Sequence, residues 1–282
     1  MKIWVTGATG QLGHDVLEEL QRREMPCIGT GSAEVDITNE EAVRNFMDQE
    51  KPDAVIHCAA YTAVDKAEKE KELCMKINRD GTRYIAEACK DAGAVMMYIS
   101  TDYIFPGTGR VPYDVENAAD PVNVYGESKW EGEKAVQKYL SHFFIIRMSW
   151  VFGKNGNNFI KTMLRLGKTQ KEINVVSDQI GSPTYTADMA PLLCSMIQSE
   201  SHGIYHACNG GSCSWAELAE ETFREAGMDV TVHHITTAEY PTPARRPLNS
   251  RLSRRSLADA GFELPEPWQE AVKKYIHGDL GL

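Results

Sequence analysis

The sequence lacks the features that mark membrane-spanning, exported and disulfide-stabilised proteins. No apolar run approaches the length of about 18 residues that a transmembrane helix needs, and 25% of the residues are charged. The N-terminus enters a predicted strand directly, without the apolar core and small-residue cleavage site of a signal peptide. The seven cysteines are an odd number and form no Cys-x-x-Cys pair, which argues against a disulfide framework and against a zinc site. We therefore expect reduced thiols, a cytoplasmic location and no membrane partner.

Positive charge is also scarce. The net charge of −10 argues against a nucleic-acid partner. Several basic residues nevertheless cluster near the C-terminus: Arg245, Arg246, Arg251, Arg254 and Arg255. They form either an ordinary solvated surface or an anion-binding wall for a phosphorylated substrate, and the sequence leaves both alternatives open.

The first half of the chain alternates short apolar strands with helices. Strands are predicted over residues 2–6, 25–30, 53–57, 95–100 and 143–148. Helices are predicted over residues 10–23 and 70–91 and around Tyr125–Lys129, with Gly93 ending the second of these. A further helix is predicted to begin at a capping box formed by Thr38 and Glu41 and to run to about residue 50. This alternation predicts an α/β fold with a doubly wound, Rossmann-type parallel sheet. In such sheets, ligands bind beyond the carboxyl ends of the strands.

Turn-rich stretches follow Gly153 and divide the rest of the chain. A strand over residues 203–207 is expected to return to the main sheet. We therefore predict an NAD(P)-binding Rossmann domain formed by residues 1–152 and about 184–210. A smaller C-terminal substrate-binding lobe is predicted from about 153–183 and 211–282.

A glycine-rich turn follows the first strand and covers Gly7, Gly10 and Gly13. Glycine is needed where a chain turns tightly, where its backbone approaches a pyrophosphate, and where a helix packs closely on a strand. The phosphate charge then lies at the positive end of the helix. Because this turn opens a strand–helix–strand unit, it predicts dinucleotide binding, against the simpler alternative of a tight strand-to-helix connection.

The end of the second strand bears on the choice of cofactor. An acidic residue there would bind the adenosine ribose and favour NAD, but Thr30 occupies about that position. Neither cofactor form is strongly selected, and NADPH is slightly favoured over NADH. Asp36 is expected either to reach the adenine amino group or to cap a turn.

A phenol and an ammonium lie four residues apart, at Tyr125 and Lys129, on one face of a predicted helical turn. The ammonium is expected to lower the phenol's pKa, which is ordinarily about 10. Thr101, at the end of the fourth strand, can direct a hydroxyl at the same carbonyl oxygen. Together they predict an acid catalyst with an oxyanion stabiliser, acting with hydride transfer from a nicotinamide. The alternative is a chance Tyr-x-x-x-Lys on a surface.

These residues are those of the extended short-chain dehydrogenases/reductases. Among them, the chain resembles the dTDP-4-dehydrorhamnose reductases nearly from end to end. The resemblance is carried by residues 58–68, 100–105, 147–153, 157–164, 178–184 and 246–252. The last three stretches lie in the predicted substrate-binding lobe, where sister enzymes would differ.

The resemblance implies a role for individual residues. Tyr125 matches the proton donor, Lys129 its partner and Thr101 the residue that tunes the donor. The resemblance and the glycine turn and strand ends together predict these cofactor contacts: Gly7, Gly10, Gln11, Leu12, Gly13, Thr30, Asp36, Ile37, Ala59, Ala60, Tyr61 and Thr62, together with Tyr125 and Lys129. The implied substrate contacts are Thr101, Asp102, Tyr103, Trp150, Asn158, Arg246 and Arg251. Trp215 and Trp268 are expected only to pack the smaller lobe.

The resemblance further implies a reaction and an assembly. The expected reaction is NAD(P)H-dependent reduction of dTDP-4-dehydro-β-L-rhamnose to dTDP-L-rhamnose, for surface polysaccharide synthesis. The alternatives are a reductase that forms the 6-deoxy-L-talose nucleotide, an epimerase or dehydratase, and a non-catalytic regulatory subunit of the same fold. A monomer or a homodimer is expected. Some members are magnesium-linked dimers; Asp15 suits such a site, but Ala187 stands where a second carboxylate is expected, so no metal is predicted.

Overall fold

The computed structural model describes all residues from Met1 to Leu282. Its strands, β1 to β13, are Ile3–Thr6, Cys27–Thr30, Ala54–His57, Val95–Thr101, Phe143–Met148, Val151–Phe152, Glu172–Val176, Ile180–Gly181, Thr184–Tyr185, Gly203–His206, Cys213–Ser214, Thr231–Ile235 and Asn249–Ser250. Its α-helices, α1 to α11, are Gln11–Arg22, Glu40–Glu50, Val64–Ala67, Lys71–Met75, Thr82–Ala92, Val124–Tyr139, Phe159–Gly167, Thr186–Met196, Trp215–Glu225, Arg255–Asp259 and Trp268–Lys274.

The main sheet is parallel throughout and has the strand order β10-β5-β4-β3-β1-β2. The chain passes to β2 on one side of β1 and to β3 on the other, so the order reverses beside β1. The carboxyl ends of β1 and β3 flank this reversal, which is where open parallel sheets bind ligands. The predicted return of residues 203–207 to this sheet is confirmed, because β10 pairs with β5.

Alternate residues of each strand enter two apolar cores, one on each face of the sheet. On β1, Ile3 and Val5 pack with α1 and α8, whereas Trp4 packs with α2, α5 and α6. All three side chains are fully buried. Helices therefore cover both faces, and the predicted doubly wound α/β fold is confirmed.

The C-terminal part adds smaller sheets and further apolar clusters. One sheet has the order β11-β8-β13, and two strand pairs join β12 with β7 and β6 with β9. Helices α7, α9 and α11 pack around these pairs through buried side chains such as Ile160, Leu218 and Trp268. None of the helices in the structure is both long and apolar enough to cross a membrane.

Two local predictions are wrong. Thr38 does not cap α2; Asn39 does, by accepting a hydrogen bond from the Ala42 N–H, while Thr38 bonds to Asp36. An Asn side chain next to the helix start satisfies that N–H as well as a threonine would.

The helix predicted over residues 70–91 is not regular. It consists of α4 and α5 joined by a π-helical segment, Lys76–Gly81, and it ends at Gly93 as predicted. Such wide turns are frequently found at functional sites. Asn78, inside the segment, is buried.

Candidate active site

The glycine turn after β1 has the geometry of a phosphate cradle. Gly7 has a φ of +65°, and a Cβ there would lie 2.7 Å from the backbone nitrogen of Ala59. A Cβ on Gly13 would collide with the Gly7 carbonyl oxygen. Gly10 precedes α1 and offers no side-chain cap, so backbone N–H groups of the first turn remain available to an anion. The turn therefore fits the diphosphate of a dinucleotide.

A cleft of about 1250 Å³ opens above the carboxyl ends of the strands. Most of the predicted site residues line it: Gly7, Gly10, Gln11, Leu12, Thr30, Asp36, Ile37, Ala59, Ala60, Tyr61, Thr62, Thr101, Asp102, Tyr103, Tyr125, Lys129 and Trp150. Gly13, Asn158, Arg246 and Arg251 do not line it. The cleft also has walls that the sequence analysis did not single out, including Thr9, Gly31, Ser32, Lys76, Gly156 and Asn157.

Tyr125 lies in the first turn of α6, and Lys129 lies one turn further along. The helix starts here because Asn123 accepts a hydrogen bond from the Gly126 N–H at 2.8 Å. Thr101 ends β4 and lines the same cleft as Tyr125. The phenol, the ammonium and the hydroxyl thus meet at one wall of the cleft.

The expected lowering of the Tyr125 pKa is wrong for the free protein. The surrounding protein desolvates the phenol and raises its pKa, and the nearby charge of Asp102 acts in the same direction. The nearby Thr101 hydroxyl opposes these effects on the pKa only in part. A neutral phenol is the form that a proton donor needs at neutral pH.

Burial affects Lys129 in the opposite sense and lowers its pKa to about 7. The side chain is only 2% exposed, and its Nζ donates a hydrogen bond to the Ile99 carbonyl oxygen at 2.7 Å. It lies 4.1 Å from the centroid of the Tyr98 ring. Glu133, one helical turn further along, favours the charged lysine and limits the shift. The Lys129 side chain is therefore poised to gain or lose a proton near neutral pH.

Asp102 is a buried carboxyl group with an unused acceptor. Its Oδ1 accepts a hydrogen bond from the Thr101 hydroxyl at 3.0 Å, and its Oδ2 has no hydrogen-bond partner. Burial raises its pKa to about 6. Since buried polar groups are normally paired, the unpaired Oδ2 is an unsatisfied acceptor just beneath the surface of the cleft.

A fully buried ion pair joins the helix of Tyr125 and Lys129 to the sheet. Glu133 on α6 binds Arg147 of β5 through two hydrogen bonds, at 3.0 and 2.8 Å. Its Oε1 also accepts a hydrogen bond from Ser100, the residue before Thr101. The pair fixes α6 against the ends of β4 and β5, and the sequence analysis did not identify it.

Asn78 holds the other side of the cleft. Its side chain accepts a hydrogen bond from the Tyr61 N–H at 2.7 Å and donates one to the Tyr61 carbonyl oxygen at 3.0 Å. A further hydrogen bond reaches Ser128, which neighbours Lys129. Asn78 therefore ties the loop after β3 to α6.

Trp150 is held in an unusual conformation. Its φ is +48°, a region that non-glycine residues rarely adopt. Its ring stacks on Trp215 with centroids 3.6 Å apart and an interplanar angle of 9°. A Cβ on Gly181 would run into the Trp150 indole, so the glycine makes room for it. Trp215, expected only to pack the lobe, is therefore the direct support of a cleft residue.

The predicted substrate residues outside the cleft bind other parts of the protein. Asn158 caps α7 and donates a hydrogen bond to Gln11 of the phosphate turn at 3.1 Å. Arg246 pairs with Asp65 at 2.8 Å, and Arg251 donates to Asn249 at 2.8 Å. In the free protein these two arginines are thus engaged locally.

The acidic residue that a magnesium site would use lies on α1. Ligand atoms of His14, Asp15 and Glu18 lie within 4.8 Å of one another. One of the three groups is an imidazole, whereas Mg²⁺ prefers oxygen ligands in octahedral geometry. The residues present do not fit a magnesium ion held by this chain.

A parallel sheet with a phosphate turn at its reversal point, and with threonine, tyrosine and lysine facing one cleft, defines an extended short-chain dehydrogenase/reductase. The family model described as "RmlD substrate binding domain" matches residues 1–279, and the chain belongs to this family.

Known proteins resemble the chain over nearly its whole length. The spore coat polysaccharide biosynthesis protein SpsK of Bacillus subtilis is 40% identical over 98% of this chain and 96% of its own. The dTDP-4-dehydrorhamnose reductase of Streptomyces griseus is 40% identical over 95% of this chain and 90% of its own. The crystal structure of the Bacillus anthracis dTDP-4-dehydrorhamnose reductase in complex with NADP is 43% identical, with a TM-score of 0.95 and coverage of 98% of this chain and 99% of that chain. The predicted family resemblance is confirmed.

Proposed function

We propose that this protein reduces the C4 keto group of dTDP-4-dehydro-β-L-rhamnose to give dTDP-L-rhamnose, with NADPH or NADH as the reductant, for synthesis of a surface polysaccharide. The observation that carries the proposal is a single cleft that joins the phosphate turn to Thr101, Tyr125 and Asp102. The similarity to the Streptomyces griseus reductase covers 95% of this chain and so includes the C-terminal part.

Three residues of the cleft, Tyr125, Thr101 and Lys129, would have distinct roles in this reaction. A bound reduced nicotinamide supplies the hydride. Tyr125 donates its proton to the C4 oxygen, since the raised pKa keeps the phenol protonated. The nearby Thr101 hydroxyl would help to orient that phenol when substrate is bound. Lys129 would hold the nicotinamide ribose hydroxyls, and its positive charge would offset the phenolate that proton donation leaves behind.

The sugar would lie between Asp102 and Trp150. The unpaired Oδ2 of Asp102, which is buried in the free protein, would have to turn toward the cleft to accept a hydrogen bond from a sugar hydroxyl. The indole of Trp150 offers an apolar surface for the deoxysugar ring and its methyl group. Arg246 and Arg251 would have to leave their present partners to reach the diphosphate.

The two ligands would bind to different parts of the chain. Residues 1–152 and about 184–210 would bind the dinucleotide, and about 153–183 and 211–282 would bind the nucleotide sugar. The protein would act in the cytoplasm, where its seven free cysteines stay reduced, as a monomer or a homodimer.

A product analysis tests the proposal. The protein is incubated with dTDP-4-dehydro-β-L-rhamnose and either reduced nicotinamide cofactor, and the product's C4 configuration is read by NMR. We expect the rhamnose configuration with stoichiometric cofactor oxidation. The talose configuration would assign the product to the sister reductase. No oxidation of either cofactor would refute a reductase.

A further inference from the structure

The turn after β2 folds a carboxylate back onto the end of that strand. Gly31 follows Thr30, the last residue of β2, and lines the cleft. Its backbone N–H donates a hydrogen bond to Oε2 of Glu34 at 2.8 Å. The turn is closed by a hydrogen bond from the Val35 N–H to the Gly31 carbonyl oxygen at 3.1 Å. Glu34 thus places an acidic group at the strand end, although it lies four residues further along the chain.

The position of this carboxylate is fixed by the residues that follow it. Val35 and Ile37 are buried in the apolar core that also holds Trp4. Asp36, between them, accepts hydrogen bonds from both the N–H and the hydroxyl of Thr38. The turn is therefore anchored on its far side, which fixes where the backbone of Glu34 lies.

Glu34 does not itself line the cleft, but its carboxylate is bound to Gly31, which does. A Cβ built on Gly31 would be 3.2 Å from Oε2 of Glu34 and 3.3 Å from Oγ1 of Thr9. The carboxylate and the phosphate turn therefore approach the same point. In dinucleotide-binding sheets the adenosine ribose lies at this place, where an acidic residue accepts a hydrogen bond from the 2′-hydroxyl and an arginine accommodates a 2′-phosphate.

The charges at this place oppose a 2′-phosphate. Residues 31–38 contain Glu34 and Asp36 and no basic residue. The Gly31 N–H, a donor that a phosphate would use, is already bound to Glu34. The one basic residue nearby is Lys76, which lines the cleft; the pKa of Asp36 is lowered mainly by the hydrogen bonds from Thr38 and to a smaller extent by the charge of Lys76.

We infer that Glu34 accepts hydrogen bonds from the adenosine ribose hydroxyls and makes this protein prefer NADH to NADPH. The inference rests on the proposed function, since it concerns the cofactor of that reaction. The inference applies to the turn of this chain and not to the whole family, since the Bacillus anthracis relative was solved in complex with NADP. Glu34 was not predicted from the sequence, because the acidic residue is expected at the strand end itself, which Thr30 occupies.

Calorimetric titration with NADH and with NADPH tests the inference without the sugar substrate. We expect the unmodified protein to bind NADH about tenfold more tightly than NADPH. Glu34→Gln keeps an acceptor for the Gly31 N–H but removes the charge, so it should strengthen NADPH binding and bring the two affinities within about threefold. Glu34→Asp keeps the charge and should retain a preference for NADH. Glu41→Gln removes the same charge at an exposed position of α2 and should leave the ratio unchanged.

The outcomes separate this inference from the proposed function. Tighter binding of NADPH by the unmodified protein would overturn the role of Glu34. So would an NADH-to-NADPH affinity ratio that is equal in Glu34→Gln and Glu41→Gln. If the sugar is still reduced in either case, the proposed function stands. If neither dinucleotide binds the unmodified protein, both proposals fail together.

Discussion

Binding of NADH is expected to draw a proton onto Lys129. In the free protein the lysine has a pKa of about 7, so about a tenth of the molecules carry the ammonium at pH 8. The hydroxyls and phosphates of a bound dinucleotide favour the charged form and raise this pKa. With the lysine fully charged in the complex, the uptake is about 0.9 proton per NADH at pH 8 and about 0.1 at pH 6.

The uptake is measurable by calorimetry at one pH in buffers that differ in ionisation enthalpy. Neighbouring groups contribute little at pH 8. Burial holds the pKa of His57 at about 3 and raises that of Cys58 to about 12, so neither titrates in this range. Asp102, with a pKa of about 6, is about 1% protonated at pH 8.

Lys129→Met supplies the control, because it removes the titrating group and keeps much of the side chain's length. It should abolish the uptake and weaken NADH binding. Asp102→Asn should keep the uptake. A value below about 0.3 proton at pH 8 in the unmodified protein, or equal uptake in Lys129→Met, would refute the assignment.

Four further changes probe separate parts of the site. Tyr125→Phe should lower kcat by about 10²–10⁴-fold and leave NADH affinity nearly unchanged; retention of more than about half of kcat, with chemistry rate-limiting, would contradict the acid role. Trp215→Leu should raise KM for the nucleotide sugar by about 2–10-fold, whereas Trp215→Phe keeps an aromatic partner for Trp150 and should stay close to the unmodified value. Glu133→Gln should lower the free energy of unfolding by about 3–5 kcal/mol in urea titrations, because Arg147 is left buried without its partner; a loss under about 1 kcal/mol would argue against this role. Arg251→Ala should raise the Kd for dTDP by about 10–150-fold and spare NADH, while a change under about twofold would assign the arginine to a solvated surface.

The sheet and the phosphate turn could be predicted because their signals are local. Each central strand is a short apolar run, and Gly7 and Gly13 mark the turn by residue type alone. The spacing of Tyr125 and Lys129 is likewise visible along the chain. Each of these signals fits within a few residues, so no knowledge of the packing is needed to see it.

The features that sequence reasoning missed depend on distant partners or on burial. Glu133 forms its ion pair with Arg147 only because α6 packs on β5. Trp150 stacks on Trp215, a residue that is distant from it in the sequence. The pKa of Tyr125 was predicted in the wrong direction because adjacency to a lysine can be read from the sequence, whereas desolvation cannot.

Because of the wide helical turn at Lys76–Gly81, the contact of Asn78 with Tyr61 depends on the number of residues in this helix. Successive residues of an α-helix are rotated by about 100°. Loss of one codon between Asn78 and Thr82 would turn the π-helical segment into ordinary α-helix, yet it would swing Asn78 away from Tyr61 and release the loop after β3. Natural descendants of this chain should therefore vary here by substitution and keep the helix length constant.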